Sequence, residues 1–341
     1  MTVDTLPESG IGGTSKVKGP SRLNAGRLVF RRLVLAPVTL LGVTFAVFVM
    51  VDLSPNDPAL ARLGMFASAE AREQFAEENG LNDPLVVRFV RFLGDLVQFD
   101  FGDSVVRPET VGELISRALP VSFQLMAFSI ALACLFGLVL GVLAAWKEGR
   151  ATDRAISGLV AMLYAAPDFW LGLLFIQTFA VALGILPSGG YVPISEGFGP
   201  WLSPIIGPAV VLALGIMAAL TRIVRASMAD ELAKDYVITA RGSGLSWPVV
   251  LFRNVLRNAL ITPITVLGVV IGSLMSGAVL VETIFNLPGM GTLLITGVNQ
   301  GDLGVVRAVA IVAAAVFVVV NLVVDLLHVA LSPRSVEMSA Q

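Results

Sequence analysis

Six long apolar blocks, separated by polar connectors, organise this chain. A helix that crosses a bilayer needs about 20 apolar residues, and runs near that length recur at 33–51, 118–146, 156–183, 203–220, 258–281 and 308–330. Asp52 closes the first, and Arg117 and Lys147 bracket the second. Asp168 interrupts the third, and the fourth is the shortest. The pattern predicts an all-α integral membrane protein with six transmembrane helices and both termini on one side.

Which side follows from the short connectors, where Lys and Arg stay cytoplasmic. Lys16, Lys18, Arg22, Arg27, Arg31 and Arg32 precede the first block, and Lys147, Arg150 and Arg154 follow the second. Arg222, Arg225, Lys234, Arg241, Arg253 and Arg257 follow the fourth, whereas 184–202 and 285–304 hold no basic residue. Both termini are therefore expected in the cytoplasm of a multi-pass cell-membrane protein.

Segment 54–117 would then face outward, and it differs in length and composition. It carries eleven acidic residues and six arginines but no lysine. The run "ASAEAREQFAEENG" (67–80) predicts a short amphipathic helix closed by a glycine. We read this external segment between the first two spans as a small folded lid. Residues 1–30, rich in Gly, Ser and Lys, read as a disordered cytoplasmic N-terminus. Residues 31–53 form the first span, 118–330 a core with helices 2–6, and 331–341 a cytoplasmic tail. The first apolar run is too long for a signal-peptide core and no small-residue cleavage site follows, so it reads as a retained span.

Composition narrows the chemistry. Of 341 residues 14 % are charged, against about 25 % in a soluble domain. A formal net charge of −2 gives no footing for a nucleic-acid partner. One cysteine, Cys134, and one histidine, His328, exclude a disulfide framework, a Cys/His zinc site and most thiol or imidazole catalysis. No lysine follows a glycine, so there is no phosphate-cradling Gly-Lys-Ser/Thr loop. No catalytic residue, metal or cofactor is assigned to this chain.

The connector 222–257 contains "DYVITARGSGLSWPVVLFRNV" (235–255). Good helix formers occupy 229–241, and Gly242 and Gly244 can end that helix. Ser246 suits an N-cap, with Trp247 and Pro248 in the next first turn. The expected unit is helix, tight turn, helix, running into the fifth block. Spacing alone fits a solvated hairpin and a docking element equally well.

Further motifs break that tie. The hairpin resembles the cytoplasmic loop of permease subunits in ATP-binding-cassette (ABC) importers, aligned on Gly244 with Ala240 and Leu256 in register. Ile238 and Arg257 depart from the broad hallmark, where glutamate and proline are usual. They fit the oligopeptide/dipeptide/nickel branch, whose loop is similar to Tyr236, Thr239-Ala240-Arg241, Gly244-Leu245, Arg253 and Leu256-Arg257-Asn258-Ala259-Leu260. The opening "RRLVLAPVTLLGVTFAVFVMVDLSPNDPA" (31–59), with its Pro-x-Asp-Pro at 55–58, resembles the B-type subunit of that branch. So do "GLNDPLVVRFVRFLGDLVQFDFGDSV" (80–105), "APDFWLGLL" (166–174), "LGILPSGGY" (183–191), "VETIFNLPGMG" (281–291) and "NLVVDLLHVALSPR" (321–334).

The resemblance implies a type I ABC importer permease fold and transport of peptides, with relatives that carry nickel, glutathione or oligosaccharides. It implies a second homologous permease subunit, two ATP-binding subunits that hold ATP and Mg, and an extracytoplasmic substrate-binding protein. It also implies that Asp235, Tyr236, Thr239, Ala240, Arg241, Gly244 and Leu245 form the ATPase-coupling element. An ion-coupled secondary transporter is the rival from another class, and Asp168 beside Pro167 is its one hint.

Ionisable residues inside spans are functional candidates. Asp168, about 13 residues or roughly 20 Å into the third span, fits pathway lining or a buried hydrogen-bond role. Glu282 fits an external gate or an interfacial carboxylate. Asp325 and His328, one helical turn apart, fit a structural pair or a proton relay, and Asp52 marks a span boundary. Gly268, Gly272 and Ser276 on the fifth block, and Gly137 and Gly141 on the second, recur every four residues. That spacing permits close helix approach, within the subunit or against a partner.

Overall fold

A computed structural model describes residues 22–53, 59, 63, 64, 66–78 and 80–331. The tail expected at 331–341, the first 21 residues and the proline motif at 55–58 lie outside the described residues, save Leu331. So do the surroundings of Gly272, Ser276, Asp325 and His328.

The described chain is all helix apart from turns and one isolated bridge between Asp103 and Thr110. In order, α1 is Arg22–Asp52, α2 Ala69–Glu78, α3 Leu85–Val97, α4 Val111–Trp146, α5 Ala151–Ala165 and α6 Asp168–Ala182. Then follow α7 Phe198–Leu232, α8 Asp235–Gly242, α9 Trp247–Ala259, α10 Ile261–Ile284, α11 Met290–Gln300 and α12 Leu303–Leu331. Four of these are long and apolar enough to cross a membrane alone. Two bent pairs, α5 with α6 and α9 with α10, raise the number to as many as six.

The molecule is built on α4 and α7, which pack along most of their length. Glycine makes that seam close. A Cβ on Gly137 would stand 3.1 Å from the Cβ of Leu220, and one on Gly141 would stand 2.6 Å from that of Val224. Around this pair Leu125, Ile205, Ala209, Val211, Val281 and Phe285 form a buried core. The helix α7 carries Pro204 and Pro208 inside its first three turns, and each removes one backbone hydrogen bond from the ladder. At the other end of α10, Gly268 lies so close to α12 that a Cβ would overlap Val324.

Several expected boundaries move, for local reasons. The third block is not one straight span. It bends by 104° between α5 and α6, because Pro167 cannot donate to the preceding turn and forces Ala166 extended (φ −79°, ψ 133°). Asp168 is therefore the first residue of a new helix rather than a point deep in a continuous one. The helix expected over 229–241 is cut at Lys234, which is extended (φ −78°, ψ 147°) and becomes the N-cap of α8. The helix α1 begins at Arg22, ahead of the boundary expected near residue 31.

The segment after Asp52 holds α2 near the expected place, ending before Gly80 at positive φ. It also holds α3, and α4 already starts at Val111 with a capping box between Thr110 and Glu113. The connector 285–304, read as a loop, contains α11.

Candidate functional site

The hairpin of α8 and α9 is small but internally fixed. Val237, 3 % exposed, inserts α8 into a cluster with Val224 and Met228 of α7 and Val250, Leu251 and Val255 of α9. The turn into α8 is held by Glu231, whose carboxylate accepts from Lys234 Nζ (2.5 Å) and Tyr236 Oη (2.9 Å). That hydrogen bond raises the Lys234 ammonium pKa above its ordinary value, and burial raises the Tyr236 phenol. Both groups are therefore protonated at neutral pH.

The other end of α8 closes on Gly244 (φ +84°). Gly244 N–H donates to the Arg241 carbonyl (3.0 Å) and Leu245 N–H to the Ala240 carbonyl (3.3 Å). These two bonds make a Schellman cap, which needs a left-handed residue at this position. No atom lies within 4 Å of a Cβ built there. Glycine is thus required by the backbone, not by crowding. Arg241 lies over the Trp247 ring at 4.9 Å and joins the two arms. Thr239 Oγ1 donates to the Asp235 carbonyl within α8. Ser246 holds the N-cap position without a side-chain capping bond.

Having spent Val237 inward, the hairpin shows large apolar side chains to the outside. Ile238 is 67 % exposed, Leu245 45 % and Phe252 59 %. Asp235, Thr239 and Arg241 are exposed beside them, while Tyr236 and Ala240 are half-buried.

Glu282, at the far end of α10, is 1 % exposed. Its carboxylate is enclosed by α4 and the start of α11. Ser122 Oγ donates to Oε1 (2.6 Å) and Gly291 N–H to Oε2 (2.7 Å), while Met290 N–H donates to Ser122 Oγ (2.8 Å). The carboxylate thus takes up an orphan amide of the α11 N-terminus, where a negative charge is favoured. A Cβ on Gly289 or Gly291 would overlap the carboxylate, so both glycines are needed for the approach. Beside it opens a cavity of about 220 Å³, lined by Ser122, Glu282, Met126, Leu294 and Val309 among others. Next door, Gly190 N–H donates to the Phe285 carbonyl (3.0 Å), so the motifs at 183–191 and 281–291 meet.

Asp168 stands apart from both. Its half-buried carboxylate lies between two glycines, 3.6 Å from a Cβ position on Gly215 of α7 and 3.1 Å from one on Gly277 of α10. Among the described residues none donates a hydrogen bond or offers a cation to it.

Two polar joints went unnoticed in the sequence. Asp153, at the start of α5 and 4 % exposed, receives Arg225 Nε (2.6 Å) and Nη2 (2.8 Å), Gly149 N–H (3.0 Å) and Ser157 Oγ (3.3 Å). Asp302 receives Ser104 Oγ (2.5 Å) and caps α12 through Val305 N–H (3.2 Å). Asp153 sits among ordinary connector charges and Asp302 is the one charge in 285–304, and their partners Arg225 and Ser104 lie 72 and 198 residues away. No local spacing marks them.

The chain is similar to known proteins over nearly its whole length. Residues 137–337 match the family "Binding-protein-dependent transport system inner membrane component", and residues 26–126 match its N-terminal family. The oligopeptide transport system permease protein AppB of Bacillus subtilis (strain 168) is 40 % identical, covering 90 % of this chain and 98 % of that protein. The dipeptide transport system permease protein DppB of the same organism is 33 % identical, covering 90 % and 97 %. The glutathione transport system permease protein GsiC of Pectobacterium atrosepticum is 36 % identical, covering 86 % and 94 %. The chain belongs to the binding-protein-dependent inner-membrane permease family, in the oligopeptide/dipeptide/nickel branch of the ABC importers.

Proposed function

We propose that this non-catalytic, multi-pass permease subunit forms half of a peptide pathway and is driven through residues 235–245 by separate ATPase subunits. The observation that carries this reading is the hairpin itself. Val237, the Glu231 bonds and the Gly244 cap make it rigid, yet Ile238, Leu245 and Phe252 remain exposed. A rigid element with an uncovered apolar surface suits a socket on a partner and can transmit a displacement. Because α9 continues into α10 across a 41° bend, movement of the hairpin reaches the helix that carries Gly277 beside Asp168 and, in its last turn, Glu282.

In this reading each bent pair is one crossing, which makes six spans in a type I permease fold. The basic connectors put both termini in the cytoplasm. The subunit is of the B type and pairs with a second homologous permease. Two ATP-binding subunits bring ATP and Mg, and an extracytoplasmic binding protein delivers the cargo. Asp168 and Glu282 are the pathway or gate residues, and Gly268, Gly272 and Ser276 form a packing face on α10. Oligopeptide, dipeptide and glutathione transport in the names of three relatives supports a peptide cargo.

Gly244→Val in the assembled complex tests the coupling. Membrane insertion is expected to persist, while transport and transport-coupled ATP hydrolysis fall. Coupling at the wild-type level would refute the role given to the hairpin. The ligand retained by the cognate binding protein decides the cargo, with a peptide expected and a nickel complex or oligosaccharide contrary.

A further inference from the structure

The helix α3 carries two apolar stripes, and the chain uses only one. Leu85, Phe89, Phe92 and Leu96 face α1, where Phe89 meets Phe45 and Phe48 at ring distances of 5.0 and 5.4 Å and Phe92 stacks on Phe48 at 5.4 Å. Arg307 of α12 lies over Phe92 at 4.4 Å, and Arg88 pairs with Asp52 at the end of α1. Val86, Val90, Leu93 and Val97 follow the i, i+4, i+7, i+11 spacing of a second stripe. Val86, Val90 and Val97 are 68 %, 61 % and 79 % exposed, with Leu93 half-buried. Arg88, Arg91 and Asp95 take the remaining arc, where Arg91 pairs with Asp83 (2.7 Å).

We infer that α3 is an interfacial helix whose second stripe lies in the acyl-chain boundary of one membrane leaflet. Its depth comes from α1. Phe48 and Phe45 are four and seven residues inward from Asp52, roughly 6 and 10 Å along the helix. A helix resting on them sits within the about 5–10 Å to which interfacial helices sink. The helix α1 beneath it also leaves an apolar surface open, as a helix in contact with acyl chains would. The membrane-crossing part of α1 is 11 % buried, and Val38, Leu41 and Phe45 are exposed. A soluble partner approaching from the aqueous side meets the charged arc instead, so the lipid is the occupant that fits. This inference is independent of cargo and coupling.

The test uses the complete transporter in lipid nanodiscs, with Cys134→Ala as background. Spin labels go on Val86→Cys, Val90→Cys, Val97→Cys and, for the charged arc, Arg91→Cys. All four positions are exposed, and the Arg91–Asp83 pair lost at the fourth is a surface ion pair that adds little to stability, so the labels leave the fold in place. Membrane-soluble oxygen is expected to relax the three stripe labels more than a water-soluble nickel chelate does, with the order reversed at residue 91. Equal access of the chelate to all four sites would overturn the inference. Protection of the stripe from both agents would overturn it too, and would identify a protein partner there.

Discussion

The two ends of the helix α10 are finished in opposite ways. At Glu282 the carboxylate is closed inside the chain, with Ser122 and Gly291 bonded to it and glycines where any side chain would collide. At the hairpin end the backbone is equally well satisfied, but Ile238, Leu245 and Phe252 stay uncovered. One end is complete within the chain, and the other leaves uncovered the apolar surface proposed above to receive a partner. Mutations at the first should therefore damage the fold, and mutations at the second should damage assembly while sparing it.

The largest effect is expected from Glu282→Leu. It strands the Ser122 hydroxyl and the Gly291 amide, at about 1–3 kcal/mol for each buried donor. Thermal unfolding of the purified subunit should show a clear drop, and Glu282→Gln a smaller one. A melting temperature unchanged in both would remove the contrast between the two ends. Next comes Gly289→Ala, which deletes no hydrogen-bonding group but places a Cβ on the carboxylate. Overpacking of this kind costs about 1–3 kcal/mol, read in the same melting experiment.

At the hairpin, Gly244→Ala is expected to cost less, about 1 kcal/mol. There only the left-handed backbone (φ +84°) opposes a side chain, since the surrounding space is open. A loss as large as that of Gly289→Ala would mean that Gly244 is crowded after all. The smallest change in stability, within about 0.5 kcal/mol, is expected for Ile238→Asp with Leu245→Asp, because exposed positions tolerate substitution. Circular dichroism through the melt checks it.

How much of this was readable beforehand depended on whether the signal was local. The blocks at 118–146 and 308–330 are visible as apolar runs because a bilayer imposes length on composition. Gly244 and Ser246 mark a turn because backbone conformation is written in one or two residues. The kink at Pro167 was equally local, but the apolar run across it masked the break between α5 and α6. The enclosure of Glu282 was not local. Ser122 lies 160 residues away from it, and neither residue type announces the other. Asp153 and Asp302 are similar, since their partnerships exist only once α5 meets α7 and residue 104 meets α12. The helix α11 was missed because Gly, Pro and Asn around it read as a loop.

The seating of an ATPase on the hairpin's exposed apolar residues has the sharpest consequence. It is tested most directly by purifying the transporter through a tag on this chain carrying Ile238→Asp and Leu245→Asp, and measuring which subunits follow. The account predicts that the second permease subunit is retained at the wild-type ratio while the ATP-binding subunits are lost. Retention of the ATP-binding subunits at the wild-type ratio would contradict it.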